Sequence, residues 1–226
     1  MNRIFYIGDS TVQFNKIDTY PQTGMSQVLE LFTAEGIRVM PHGKNGRSTK
    51  SFLDEGRFEP VRQQMGEGDF LFIQFGHNDE KPDEARHTEP YGSYQDNLRY
   101  FIREARSRGA APVLITPIAR RLFDEAGNFR PGSHGDYPEA MRRLGEEEKV
   151  PVADLTSLTE RFLAELGDEA SKPLFVWPVD NTHLKYDGAV TMVRFLCQEL
   201  ARFGAPYAQL LHQPEQSEYP INDEVF

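Results

Sequence analysis

The sequence has a single cysteine, fewer basic than acidic residues and no long apolar run. Cys197 alone cannot form an intrachain disulfide or a cysteine-built zinc site, and nothing else in the sequence requires an oxidising compartment. The apolar run in the first residues is too short for a signal peptide or a membrane span. We therefore expect a cytoplasmic protein without a membrane partner.

The shortage of basic residues also bears on the partners of the protein. Acidic residues outnumber basic ones by 35 to 25, and the formal net charge of -10 has the wrong sign for a nucleic-acid surface. Hydrophobic residues make up 38% of the 226 residues, which is enough for a packed core. We expect one domain over residues 1–211, followed by a polar, acidic tail over residues 212–226.

Short apolar runs alternate with segments of helical period along most of the chain. This alternation is typical of an α/β fold with a parallel sheet between helices. The predicted strands are residues 4–7, 37–40, 70–75, 113–118 and 150–153. The predicted helices are residues 25–34, 94–105, 137–148, 158–166 and 187–203. Residues 120–135 interrupt the pattern and are interpreted as a small hairpin or a loop over the site.

Polar clusters follow the predicted strands at their carboxyl ends, where ligands bind to open parallel sheets. Ser10 follows the first strand, Gly46 the second and Asn78 the third. Asp180 and His183 stand three positions apart just before the last helix. We expect all of these residues at one edge of the sheet.

This set of residues suits acyl transfer. A serine hydroxyl becomes a good nucleophile when an imidazole removes its proton and an acid orients that imidazole. Ser10, His183 and Asp180 fit these roles. The backbone amides of Ser10 and Gly46 and the side-chain amide of Asn78 could stabilise the oxyanion that forms during attack.

Four sequence blocks resemble those of the SGNH, or GDSL, hydrolase superfamily. They are Gly8-Asp9-Ser10-Thr11, Gly46, Gly76-His77-Asn78-Asp79 and Asp180-x-x-His183. Asn45-Gly46-Arg47-Ser48, His77 and the Leu184 that follows His183 are most similar to rhamnogalacturonan acetylesterases. In one departure, Thr11 stands where the superfamily motif has leucine, and the nucleophile is retained.

The resemblance implies a flavodoxin-like, three-layer α/β/α sandwich around a central five-stranded parallel sheet. It also implies a Ser10–His183–Asp180 triad and an oxyanion hole formed by Ser10, Gly46 and Asn78. The implied activity is removal of acetyl groups from pectic rhamnogalacturonan, an acetylated oligosaccharide substrate, with no metal and no cofactor.

Four further residues are candidates for substrate binding. His77 either lines the pocket or packs, hydrogen-bonded, beneath it. Trp177 either stacks on a sugar ring or is buried in the core. Arg120 and Arg121 could attract the carboxylates of a uronate polymer, as could Lys44, Arg47, Lys81, His87 and Arg130. The alternative is that these cations pair with the surplus acidic residues. Asp9 and Asp79 are interpreted as supports for loop amides.

Other functions stay open from the sequence alone. The chain could be an esterase of the same superfamily for acetyl-xylan or small esters, or a silent glycan-binding module that keeps the fold. A phosphate-binding loop at residues 43–48 is rejected because its lysine precedes the second glycine. A metal site is rejected because paired-ligand spacing is absent. The oligomeric state is not predicted.

Overall fold

A parallel five-stranded sheet organises the computed structural model, which describes residues 2–212. The strands are listed in chain order: β1 (Asn2–Gly8), β2 (Ile37–Pro41), β3 (Phe70–Gln74), β4 (Ala111–Ile115) and β5 (Val152–Ala153). Their order in the sheet is β2-β1-β3-β4-β5, and every pairing is parallel. This is the flavodoxin-like order, so the predicted sheet is confirmed.

The strands are apolar because both faces of the sheet are covered. In β1, Ile4 and Tyr6 face one buried cluster, while Phe5 and Ile7 face the other. Side chains alternate between the faces of a strand, so a strand buried on both sides reads as a continuous apolar run. The structure therefore has the three layers that the sequence predicts.

Helices cover the two faces in separate groups. One face carries α1 (Met25–Val28), α6 (Leu155–Leu166) and α8 (Tyr186–Arg202), whose buried side chains belong to the cluster around Ile4. The other face carries α2 (Thr49–Asp54), α3 (Glu59–Gln64), α4 (Gln95–Ser107) and α5 (Tyr137–Glu148). The short α7 (Asp168–Ser171) follows α6.

Some elements differ from the sequence predictions. The helices α2 and α3 were not predicted, because each has only six residues and too short an apolar stripe to give a periodic signal. The predicted helix over residues 25–34 is divided into α1 and a 3-10 turn at Leu29–Phe32. Residues 120–135 form a loop in which a single antiparallel bridge joins Phe123 to Phe129.

The structure describes the chain only as far as His212. The tail predicted over residues 212–226 lies outside the described residues except for His212. Within residues 2–212, no helix combines the length and the apolar character that crossing a bilayer requires.

Phe101 of α4 occupies the centre of an aromatic cluster, with ring centroids 4.7 Å from Phe58 and 6.0 Å from Phe75. It is fully buried. We predict that Phe101→Ala lowers the free energy of unfolding by about 3–5 kcal/mol, because it removes a large apolar side chain and leaves a cavity. Urea denaturation measures this change. The matched change Phe14→Ala, at an exposed ring, is expected to alter the free energy of unfolding by no more than about 0.5 kcal/mol. Similar losses for both variants would contradict the central place of Phe101 in the core.

Candidate active site

Ser10 lies in the loop that directly follows β1. A Cβ built on Gly8, the last residue of the strand, would lie 2.5 Å from the carbonyl oxygen of Gln74 in β3, so this close approach requires glycine. The carbonyl of Asp9 then accepts a hydrogen bond from the amide of Gln13 at 3.0 Å. This turn holds the serine at the carboxyl edge of the sheet.

The structure brings Ser10, His183 and Asp180 together in one hydrogen-bonded series. Nε2 of His183 lies 3.0 Å from Oγ of Ser10, although the two residues are 173 positions apart in the chain. Nδ1 of the same ring lies 2.9 Å from Oδ2 of Asp180. The other carboxylate oxygen accepts hydrogen bonds from the amides of Thr182 and His183, both at 2.7 Å. The local turn thus fixes the carboxylate while it faces the imidazole.

The charge of Asp180 is favoured by these contacts. Burial raises its pKa, but hydrogen bonds from His183 and Thr182 outweigh burial, and the net shift is downward from the usual value. Asp180 is therefore ionised at neutral pH and can stabilise a protonated imidazole. The side chains of His183 and Asp180 are 32% and 33% exposed, so the pair is open to a ligand from solution.

Three hydrogen-bond donors belong to the loops that follow β1, β2 and β3. Among residues 2–212, the amides of Ser10 and Gly46 donate no backbone hydrogen bond. Gly46 has φ of 76°, a left-handed conformation that glycine adopts without strain. Nδ2 of Asn78 donates to the carbonyl of Arg47 at 3.2 Å, which places its side chain one residue from Gly46 and leaves a second N–H. Free donors of this kind suit an anionic oxygen.

Asp79 ties two loops of the site together. Its Oδ1 accepts hydrogen bonds from the amide and hydroxyl of Thr49, at 3.0 and 2.5 Å, and from the hydroxyl of Thr88 at 3.2 Å. Thr49 begins α2, directly after the loop of Gly46. Asp9 likewise accepts from the amide of Thr11 at 2.9 Å. The interpretation of both aspartates as supports for loop amides is confirmed.

His77 lies beneath the site. Its ring is 3% exposed and packs edge-on against His134, with centroids 4.4 Å apart. One sequence interpretation was a ring that is packed and hydrogen-bonded beneath the site. The ring is packed there, but neither ring nitrogen has a hydrogen-bond partner among the described residues. Burial lowers the pKa of His77 well below its usual value, and the ring is neutral. This placement does not favour a direct contact with substrate.

Arg120 bridges two loops of the site. Its guanidinium pairs with Glu80 and donates to the hydroxyl of Thr182 at 2.8 Å and to the carbonyl of His77 at 3.2 Å. It therefore connects the loop after β3 to the loop that carries His183. The sequence left two interpretations of Arg120, attraction of a uronate carboxylate and pairing with an acidic residue, and the contact with Glu80 agrees with the second.

Arg121 lies over the ring of Trp177. The guanidinium of Arg121 is 2% exposed, pairs with Asp168 and donates to the hydroxyl of Ser171 at 2.9 Å. It also lies 4.6 Å from the ring centroid of Trp177. The proposed availability of Arg121 for a uronate is not supported, because its donors are buried and used. Trp177 is 39% exposed, so its burial in the core was the wrong alternative.

Two contacts at the site were missed from the sequence. Nε2 of Gln22 donates to the carbonyl of Ser10 and to Oδ1 of Asn45, both at 3.3 Å. Gln22 lies in an aperiodic loop, and no pattern marks it. Glu80 accepts from Arg120 and contacts His134 at 3.1 Å. Its position directly after the block that ends in Asp79 was a signal that could have been used.

The described residues offer no alternative metal centre. Within residues 2–212, no three histidine, cysteine, aspartate or glutamate side chains are grouped so that they could hold a metal ion.

A serine, an imidazole and a carboxylate joined in series form the arrangement used by serine hydrolases. Comparison with known proteins identifies the family of the chain. The GDSL-like lipase/acylhydrolase family matches residues 6–189. The chain belongs to this family and is a carboxylic ester hydrolase.

The chain is similar to several individual proteins. The chain is 38% identical to rhamnogalacturonan acetylesterase RhgT of Bacillus subtilis (strain 168), over 96% of this chain and 97% of that protein. It is 36% identical to the probable rhamnogalacturonan acetylesterase YesY of the same organism, over 92% of this chain and 96% of that protein. The solved structure of protein YxiM from Bacillus subtilis matches with a TM-score of 0.80 and 26% identity, over 91% of this chain. The chain spans 58% of the length of YxiM.

Asp79 makes the stability of the site depend on pH. Burial raises its pKa to about 7, against the hydrogen bonds from Thr49 and Thr88 that lower it. A carboxyl group with a raised pKa in the folded state stabilises the fold below its unfolded value, and this contribution is lost as pH rises through the folded value. We predict that, between pH 4 and pH 8, the free energy of unfolding of the wild type falls by on the order of 2–4 kcal/mol relative to that of Asp79→Asn. Urea denaturation of both proteins across this range measures the difference; parallel curves would contradict it.

Proposed function

We propose that the chain is a serine esterase that removes acetyl groups from acetylated rhamnogalacturonan oligosaccharides. The observation that carries this proposal is the series from Ser10 through His183 to Asp180, with distances of 3.0 and 2.9 Å. Membership of an acylhydrolase family and the names of the relatives RhgT and YesY support the reaction and the substrate class. The expected cytoplasmic location stays a prediction.

In the first step, Ser10 is the nucleophile and His183 the base. Oγ of Ser10 forms a bond to the acetyl carbonyl carbon while Nε2 of His183 takes the hydroxyl proton. Asp180 stabilises the imidazolium that results. The tetrahedral intermediate then collapses, the bond to the sugar oxygen breaks, and His183 returns the proton to that oxygen. The products of this step are the free sugar hydroxyl and an acetyl-enzyme.

The second step repeats these proton transfers with water. His183 takes a proton from water, whose oxygen attacks the acetyl carbonyl, and then protonates Oγ of Ser10 as the acyl bond breaks. Acetate is released and the enzyme is regenerated.

In both steps the negative oxygen is stabilised by the amides of Ser10 and Gly46 and by Nδ2 of Asn78. Fixed donors need no reorientation when the charge develops, and the loss of one such donor typically lowers the rate by about 10²–10³-fold. Two observations support this assignment. The amide of Gly46 donates no backbone hydrogen bond within residues 2–212, and the hydrogen bond from Asn78 to the carbonyl of Arg47 joins the two loops that carry these donors.

We predict that Ser10→Ala lowers kcat for acetate release by about 10⁴-fold or more, because no hydroxyl remains to attack. Acetate release from acetylated rhamnogalacturonan oligosaccharides measures the change, and the melting temperature tests the fold. The matched control is Ser107→Ala at the end of α4, which lies shortly before β4 begins and so at the opposite edge of the sheet from Ser10; it is expected to retain full activity. Activity of Ser10→Ala close to wild type would end the serine mechanism.

The same assay tests the substrate. We predict a higher kcat/KM for acetylated rhamnogalacturonan oligosaccharides than for acetyl-xylan or 4-nitrophenyl acetate. Preference for acetyl-xylan would overturn the substrate and leave the mechanism intact. A folded wild-type protein that releases no acetate from any of the three would instead support a silent glycan-binding module.

A further inference from the structure

A cleft beside the site is enclosed by two loops. One wall is formed by the loop after Ser10 and the other by the segments before and after His183. The cleft has a volume of about 570 Å³, within the usual range for ligand sites. It is lined by Tyr20, Pro21, Thr23, Pro173, Lys185, Tyr186 and Asp187. We call it the Tyr20–Tyr186 cleft.

The walls of this cleft are joined to the reactive residues. Thr23 donates its amide to the carbonyl of Leu184 at 2.8 Å, next to His183. Gln22, between two of the lining residues, donates to the carbonyl of Ser10 at 3.3 Å. The cleft therefore adjoins the segments that carry Ser10 and His183, and a sugar chain with its acetyl group at Ser10 can extend into it.

Two tyrosine rings at the cleft are free to contact a ligand. Tyr20 is 75% exposed and Tyr186 is 50% exposed. Within residues 2–212, no cation or aromatic ring stacks on either, whereas the exposed Tyr91 has the guanidinium of Arg143 5.2 Å from its ring centroid. Exposed aromatic rings with an apolar body and a polar tip suit the amphipathic face of a sugar ring.

Lys185 supplies a cation at the same cleft. Its backbone is fixed by a hydrogen bond from its amide to the carbonyl of Leu174 at 3.0 Å. Among the ion pairs of residues 2–212, none includes Lys185, whereas Arg120 and Arg121 are paired with Glu80 and Asp168. An ammonium group without an acidic partner is available to a carboxylate on the ligand.

We propose that the Tyr20–Tyr186 cleft binds a uronate residue of the oligosaccharide whose acetyl group lies at Ser10. Tyr186 stacks on the sugar ring, the ammonium of Lys185 pairs with its carboxylate, and the Asp187 carboxylate accepts hydrogen bonds from its hydroxyls. The inference rests on the proposed function, because rhamnogalacturonan contains the uronate that this site would recognise. It explains how a chain with a net charge of -10 can bind an acidic polymer.

The test is direct binding, which does not depend on turnover. Titration calorimetry measures the Kd of wild type and variants for deacetylated rhamnogalacturonan oligosaccharides and for the same oligosaccharides after reduction of their carboxyl groups. We expect Lys185→Gln to raise the Kd of the acidic ligand roughly fivefold or more and that of the reduced ligand less than twofold, because only the first carries the charge. Lys185→Arg should keep the wild-type preference.

The ring contact and the controls complete the experiment. Tyr186→Ala is expected to raise the Kd of both ligands several-fold, because stacking does not need the carboxylate. Tyr91→Ala and Lys149→Gln change the same residue types at positions outside the cleft and should alter neither Kd.

The outcomes separate this inference from the proposed function. Equal effects of Lys185→Gln on both ligands, no effect of either cleft variant, or no wild-type binding at millimolar concentration would each overturn the cleft assignment, even if acetate is released. If the variants change the Kd values as expected but the wild type releases no acetate, the cleft assignment is supported and the proposed function is overturned.

Discussion

The hydrogen bond between Ser10 and His183 is the contact on which the site depends. It joins residues 173 positions apart, and it forms because both lie at the carboxyl edge of one parallel sheet. In the strand order, β1 lies between β2 and β3, so the loop after β2 brings Gly46 to one side of Ser10 and the loop after β3 brings Asn78 to the other. The topology of the sheet thus arranges nucleophile, base and amide donors together.

A layer of buried polar contacts keeps these loops in place. Asp79 fastens the start of α2 to the loop after β3, and Arg120 joins that loop to the turn before α8. Buried polar groups are stable only when they find partners, so such contacts favour a single arrangement of the loops. Rigid loops are what a site with 3.0 Å contacts requires.

The sequence predicted the elements that are long and periodic. The strands and the longer helices, such as α4 and α5, were found because burial on one or two faces leaves a regular apolar pattern. Ser10 was expected at the carboxyl edge because it directly follows the first predicted strand, and His183 was expected near it because it stands just before the last helix. The six-residue helices α2 and α3 leave no such pattern and were missed.

The surroundings of the site were harder to predict, because they depend on which side chain meets which partner. Arg121 reads as a free cation in the sequence, but folding places Asp168 and Ser171 against its guanidinium. Conversely, Lys185 was passed over, although it lies beside the exposed Tyr186 and forms no ion pair within residues 2–212. Pairings across more than 40 positions have no local signature.

Reaction with an alkyl fluorophosphonate tests the central claim most directly. This reagent phosphonylates a serine only where a neighbouring base activates the hydroxyl and amides stabilise the developing charge. Mass spectrometry of the digested protein locates the adduct. The account predicts one adduct per chain, on Ser10, formed in step with the loss of esterase activity. An adduct on another serine, or loss of activity with Ser10 unmodified, would contradict it.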